Sequence, residues 1–183
     1  MIRPLFVVFI GLTLLCGVVY PGAVYGLLQV AAPSAANGSP LVIKEVPRGS
    51  LLLGQSFSDP KYFWGRISAT GYDPTTSGSS HTPAVKQAAI IETRAGALYP
   101  EATARRPVPV DLVTESGSGL DPHISVNAAR YQVKRVAKAR GIPEQQLLSL
   151  IENTTEEPQF GFLGQARVNV LRLNLLLDAE QRL

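Results

Sequence analysis

The chain has little with which to build a redox, thiol or metal centre. Its 183 residues include one cysteine and two histidines. A disulfide framework is excluded outright, and the four Cys or His ligands of a structural zinc site are not available. The single Cys16 lies inside an apolar run, so the rest of the chain carries no thiol and depends on packing for stability. Charge is also missing where it would matter most: between Pro4 and Ile43 there is no Asp, Glu, Lys or Arg. No internal repeat at a fixed period is visible, which removes solenoid and propeller architectures. The formal charge of +3 is modest and the basic residues are dispersed, so no nucleic-acid partner is expected.

What stands in the uncharged stretch is Leu5 to Leu28, almost wholly apolar. At about 1.5 Å of rise per residue it reaches about 36 Å, enough for a hydrocarbon core of about 30 Å with some tilt. We read a transmembrane helix over 5–28, behind a short head at 1–4. The competing reading is a cleaved signal peptide, with Arg3 as its basic head and Ser34-Ala35-Ala36 as the cleavage region. The apolar run continues past Tyr20-Pro21-Gly22 and exceeds the usual signal core of about 7–15 residues. Leu15 before Cys16 is unsuited to lipoprotein processing. Arg3 is the only formal side-chain charge on the amino-terminal side and the next cation is Lys44, so the head is expected inside and the remaining chain outside the cytoplasmic membrane. Pro21 predicts a kink or a local change of pitch. Gly22 and Gly26 form a small-xxx-small pair, either a face for close approach of another helix or a glycine-tolerant span facing lipid.

Residues 29–40 are small, uncharged and turn-forming, a linker leading into one extracytoplasmic domain over 41–183. The expected class is α+β: one amino-terminal transmembrane helix followed by a single mixed domain. Gly49 to Gln55 contains a short apolar run read as a buried strand. Four aromatics crowd into Phe57 to Trp64; Phe63 and Trp64 are assigned to the core, while Tyr62 is left as core or contact surface. Ser68 to Thr82 reads as an exposed loop, and Thr82-Pro83 as the start of a helix ending near Leu98 before Tyr99-Pro100. Val108 to Thr114 reads as an edge strand. Ser125 caps a helix over Val126 to Arg140 that Gly141 ends, with Val126, Ala129, Val133, Val136 and Ala137 inward. Arg130, Lys134 and Lys138, with Arg135, form a basic face that is either solvated or turned to anionic lipid or an acidic partner. Pro143 opens a third helix through Leu147 and Ile151, and Phe160-Gly161-Phe162-Leu163-Gly164 is a turn with apolar anchors. Arg167 to Val170 reads as a strand; the end beyond fits either a helix or alternation.

Chemistry is sparse. Ser118 lies directly between Gly117 and Gly119, which fails the G-x-S-x-G spacing of a nucleophile elbow, and no lysine completes a phosphate loop. Asp121 and His123 resemble half of an acid–base pair; the plainer reading is an Asp bonding backbone amides ahead of a helix. A membrane-tethered hydrolase using Ser118, Asp121 and His123 is the competing function, and His81 with His123 is too little for a metal.

The blocks Gly49 to Gln55, Asp59 to Arg66, Val110 to Ser125 and Arg167 to Asn174 together resemble the C subunit of the bacterial Kdp potassium-transporting ATPase. The resemblance covers nearly the whole chain, with Ile67 where proline is usual and a shorter loop at Ser77 to Pro83. It implies an inner-membrane complex with a channel-like potassium-binding subunit and a P-type subunit that hydrolyses ATP. The C subunit would be an accessory, non-catalytic chain needed for assembly and described as a catalytic chaperone raising nucleotide affinity. It supplies no catalytic residue and no firmly bound cofactor, ATP entering only through the complex. Tyr62, Trp64, Asp121 and His123 stand as partner contacts or structural motif, and Gly22 and Gly26 as the membrane contact. An external domain cannot touch cytoplasmic ATP, so any effect on nucleotide is expected to be indirect.

Overall fold

A computed structural model describes residues 2–43, 45–76, 84–98 and 107–180. Two compact units divide at Ser50. The first, Met1–Ser50, holds a continuous helical run: α1 (Ile2–Leu14), one π turn over Leu15–Val19, and α2 (Tyr20–Ala31). Pro21 has no N–H to offer the preceding turn, and the ladder shifts there, the Tyr20 N–H reaching back five residues to the Leu15 carbonyl. The expected change of pitch is thus a π turn. Arg3–Ala31 is long and apolar enough to cross a membrane, and its side chains are exposed. The helix outruns Leu28 by three residues, and Pro33–Ala36 adds one short turn, α3. A hairpin of β1 (Pro40–Ile43) and β2 (Val46–Ser50), bulged between Leu41 and Val42, completes this unit.

The second unit, Leu51–Leu183, carries the core. Its elements are α4 (Ala84–Leu98), α5 (Val110–Val113), β3 (His123–Ser125), α6 (Val126–Arg140), α7 (Glu144–Thr154), β4 (Thr155–Glu156), β5 (Arg167–Asn169) and α8 (Val170–Glu180). The sheet is antiparallel with order β3-β5-β4, and Ile124 opposite Val168 places two buried side chains on its inner face. Helix α6 packs on α7 and α7 on α8. The fold is mixed α and β, as expected.

Helix α6 matches its sequence signals. The Ala128 N–H donates to the Ser125 hydroxyl at 3.0 Å, Gly141 ends the helix at φ 68°, and Ala129, Val133 and Val136 are buried. Asn169 does the same for α8, accepting from the Arg172 N–H, so the ambiguous carboxyl end is helical.

Three expectations are overturned. Leu51 to Leu53 form a turn with Leu52 59% exposed, because the segment is held by single cross-chain bonds: the Gly54 N–H donates to Leu120 O, and Asn169 Nδ2 donates to Leu51 O. Gly54 is needed there, since a Cβ would lie 2.7 Å from the Asp121 carbonyl oxygen. Val110–Val113 is one helical turn rather than a strand, which buries Leu112 while letting the Asp111 carboxylate accept from the Ser125 N–H at 2.7 Å. The Phe160–Gly164 turn exists, yet its side chains are exposed rather than anchored. The Thr82 cap, His81, Tyr99-Pro100 and the end of the Ser68–Thr82 loop lie outside the described residues.

Phe63 and Trp64 run through the core outside any helix or strand. Phe63 N–H donates to Asn174 Oδ1 and Asn174 Nδ2 donates to Phe63 O, both at 2.9 Å. Gln132 serves Trp64 in the same way, accepting its N–H at 2.8 Å and donating to its carbonyl at 3.0 Å. Two buried amides therefore replace a β-ladder. Changing Asn174→Leu leaves a buried N–H and C=O unpaired, at about 1–3 kcal/mol each. We expect a loss of about 2–4 kcal/mol for Asn174→Leu and under about 0.5 kcal/mol for exposed Lys134→Ala. Denaturant unfolding of the full chain in mild detergent, read from the only tryptophan, Trp64, measures both.

Candidate functional site

Trp64 lies in the first of the two long sequence blocks and is packed by two arginines from outside both. The residue is 7% exposed, with the Arg135 guanidinium 4.0 Å and the Arg94 guanidinium 4.4 Å from the ring centroid. Each arginine also holds the chain. Arg135 donates to the carbonyls of Pro60 and Tyr62 and to Gln132 Oε1, while Arg94 from α4 donates to Gly65 O at 3.0 Å and to Leu112 O at 3.3 Å. Burial pushes the Arg94 pKa down from its ordinary value. The basic face is therefore split: Arg130, Lys134 and Lys138 face outward, but Arg135 turns in over Trp64.

Tyr62 is half-buried beside Trp64. Its hydroxyl donates to Asp178 Oδ2 at 2.9 Å, and Asp178 Oδ1 accepts from Arg140 at 2.7 Å. The Arg140 side chain is 3% exposed and also donates to Lys61 O, so Tyr62 joins α6 to α8.

Asp121 and His123 do come together, with a third residue the sequence did not suggest. Asp121 Oδ2 pairs with Arg66 at 3.1 Å, and Oδ1 accepts from the His123 backbone N–H at 3.0 Å, with the ring Nδ1 at 3.7 Å. Arg66 donates onward to Glu115 O, and Ser116 N–H donates to Ile67 O, which stitches the 57–66 block to the 110–125 block. Burial would raise the Asp121 pKa, but hydrogen bonds from the His123 side chain and backbone and the Arg66 pair outweigh it and bring it to about 2. The other His123 nitrogen lies 3.6 Å from Glu156, which itself pairs with Arg167 at 3.0 Å.

Ser118 is exposed and its hydroxyl accepts from the Leu120 N–H at 3.1 Å, while His123 is flanked by the two carboxylates. The three groups of the hydrolase reading are not assembled as a triad, whose base must bond its nucleophile. Among the described residues no cluster of three or more His, Cys, Asp or Glu is placed to hold a metal. Gly22 and Gly26 stand exposed on the long helix, with open space beside each beyond the helix's own backbone.

Sequence reasoning missed Arg66, Arg94, Gln132, Arg140, Asn174 and Asp178. A partial signal for α6 existed in the apolar stripe, which leaves Gln132 beside Val133 on the inward side.

The Asp121 shift carries a pH signature. A carboxyl lowered from 3.8 to about 2 stabilises the fold at neutral pH and loses that contribution as pH falls from about 4 to about 2. We expect about 2 kcal/mol across that window, reduced by partial exposure, and a flatter acid limb in Asp121→Asn. Trp64 fluorescence against pH at fixed denaturant measures it.

The family described as K+-transporting ATPase, c chain, matches residues 2–179. A "Potassium-transporting ATPase KdpC subunit" of Polaromonas naphthalenivorans is 48% identical over 97% of this chain and 94% of its own length. Proteins of the same description from Burkholderia orbicola and Herpetosiphon aurantiacus are 47% and 46% identical, covering 99% and 96% of this chain and 97% and 94% of their own lengths. Similarity of this extent takes in the long apolar helix as well as the Trp64 and Asp121 blocks, and places the chain in the KdpC family.

Proposed function

We propose that the chain is an accessory subunit of an ATP-driven potassium uptake complex, anchored in the bacterial cytoplasmic membrane by α1 and α2 with its larger unit outside. The observation that carries this reading is the end-to-end similarity to relatives named potassium-transporting ATPase KdpC subunits. The arrangement around Trp64 and Asp121 agrees with it, because those polar groups hold the fold together rather than converge on a reacting atom. Its partners are the P-type ATP-hydrolysing subunit and the channel-like potassium-binding subunit, with lipid around the helix. A domain outside the membrane reaches a cytoplasmic nucleotide only through those partners, so its effect on ATP affinity works through assembly. Arg3 in the first turn of the helix, with no further cation before Lys44, supports the orientation.

Co-purification of tagged full-length chain with the other pump subunits tests the assignment. Recovery of a stoichiometric complex is expected, and a chain that comes out alone in mild detergent refutes it. A reporter fused after Leu183 should be active only outside the cytoplasm. The glycine face gives a further expectation, since helix association in lipid rests on close packing. Gly22→Leu with Gly26→Leu should insert normally yet recover several-fold less partner, whereas paired changes at Val7 and Leu14 should not. Equal recovery at equal membrane abundance would exclude this face as the contact.

A further inference from the structure

The turn between β4 and β5 is built to hold apolar side chains away from its own domain. Gln159 N–H donates to Leu163 O at 3.0 Å, Leu163 N–H returns to Gln159 O at 2.9 Å, and Gly161 N–H donates to Pro158 O at 3.0 Å. On this frame Phe160 is 86%, Phe162 75% and Leu163 50% exposed. Phe160 sits at φ 55°, a left-handed conformation that costs a bulky residue roughly 1–2 kcal/mol. Strain of this kind persists where the surroundings enforce it, and it clusters at contact sites. Here the strained ring gains almost no packing in return. A glycine or asparagine would satisfy the turn better, so the fold alone does not account for Phe160.

Charge and area select the occupant. From Glu157 to Ala166 the only ionisable side chain is Glu157, and the next cation, Arg167, is engaged by Glu156. Attraction to anionic lipid comes from Lys and Arg at about 1 kcal/mol each, and this tip has none of its own. Two phenylalanines and a leucine present on the order of 500 Å², below the roughly 800 Å² per partner of a stable free association. Two copies meeting tip to tip would also bring their Glu157 carboxylates together. A small aromatic anchor suffices when both partners are tethered in one membrane, because tethering supplies an effective concentration in the millimolar range.

We propose that Phe160, Phe162 and Leu163 form a docking knob that inserts into an apolar pocket on another membrane-anchored protein subunit of the same complex, a proposal that rests on the subunit reading above. The rigid turn presents the rings at little entropic cost, as aromatic hot spots do.

The test uses full-length chain in membranes containing the other pump subunits, with a photoreactive phenylalanine analogue at position 162. A covalent product with another pump subunit is expected. A lipid adduct, a product of two copies of this chain, or no product while the complex still co-purifies overturns the knob. In parallel, Phe160→Gly with Phe162→Ser removes both rings and relieves the strained backbone. We expect at least a tenfold loss of co-purified partner although Trp64-monitored unfolding shows the variant no less stable than the parent, and no loss for Val110→Ser, an exposed apolar control. Full recovery with the double variant overturns the knob alone; a parent chain that co-purifies with nothing overturns the subunit reading and the knob with it.

Discussion

Two buried carboxamides set the terms for the larger unit. An extended segment that enters a core must satisfy its N–H and C=O groups or lose about 1–3 kcal/mol for each. Phe63 and Trp64 have no neighbouring strand, and Asn174 from α8 and Gln132 from α6 take the place of one. Each amide offers one acceptor and two donors, so one side chain satisfies both groups of a residue. The arrangement fixes α6 and α8 with respect to the same two residues. Trp64 can then be clasped by Arg135 and Arg94 only because its backbone is already held.

A second consequence is that four arginines of this unit are committed to its own backbone. Arg66, Arg94, Arg135 and Arg140 all donate to backbone carbonyls of segments that have no regular partner. Arginine suits this use, since its planar fork reaches several carbonyls while its face lies on an aromatic ring. The unit has a three-stranded sheet of short strands and long irregular stretches, so guanidinium donors supply hydrogen bonding that a larger sheet would have supplied. Without disulfides, these cross-links do the tying.

What could be read from the sequence divides by range. Helix α6 was legible with both of its ends because Ser125, the apolar stripe and Gly141 are local signals of one element. The long apolar helix and the burial of Phe63 and Trp64 were legible for the same reason. The failures fall where a distant group decides. Val108 to Thr114 alternates like a strand, but Asp111 is drawn to the Ser125 N–H and the chain coils to reach it. Leu51 to Leu53 looks like a buried strand, but Asn169 and Leu120 take its backbone bonds singly. Of the candidate site, Tyr62, Trp64, Asp121 and His123 stand in two recognisable blocks, while their hydrogen-bond partners Asp178, Gln132 and Arg66 lie 55–116 residues away in sequence, beyond the reach of any local pattern.

Interior commitment of the polar groups bears on how such a subunit can act. Asp121, His123, Tyr62 and the four arginines are engaged with one another or with backbone, so disturbing any of them disturbs the fold before it disturbs a partner. A contact made through them would carry the cost of leaving a buried charge unpaired, which is several-fold larger than the value of a surface pair. The surfaces the fold leaves free are of another kind: the long apolar helix of the first unit and the exposed aromatic turn of the second. Neither costs the fold a buried polar bond when it is covered.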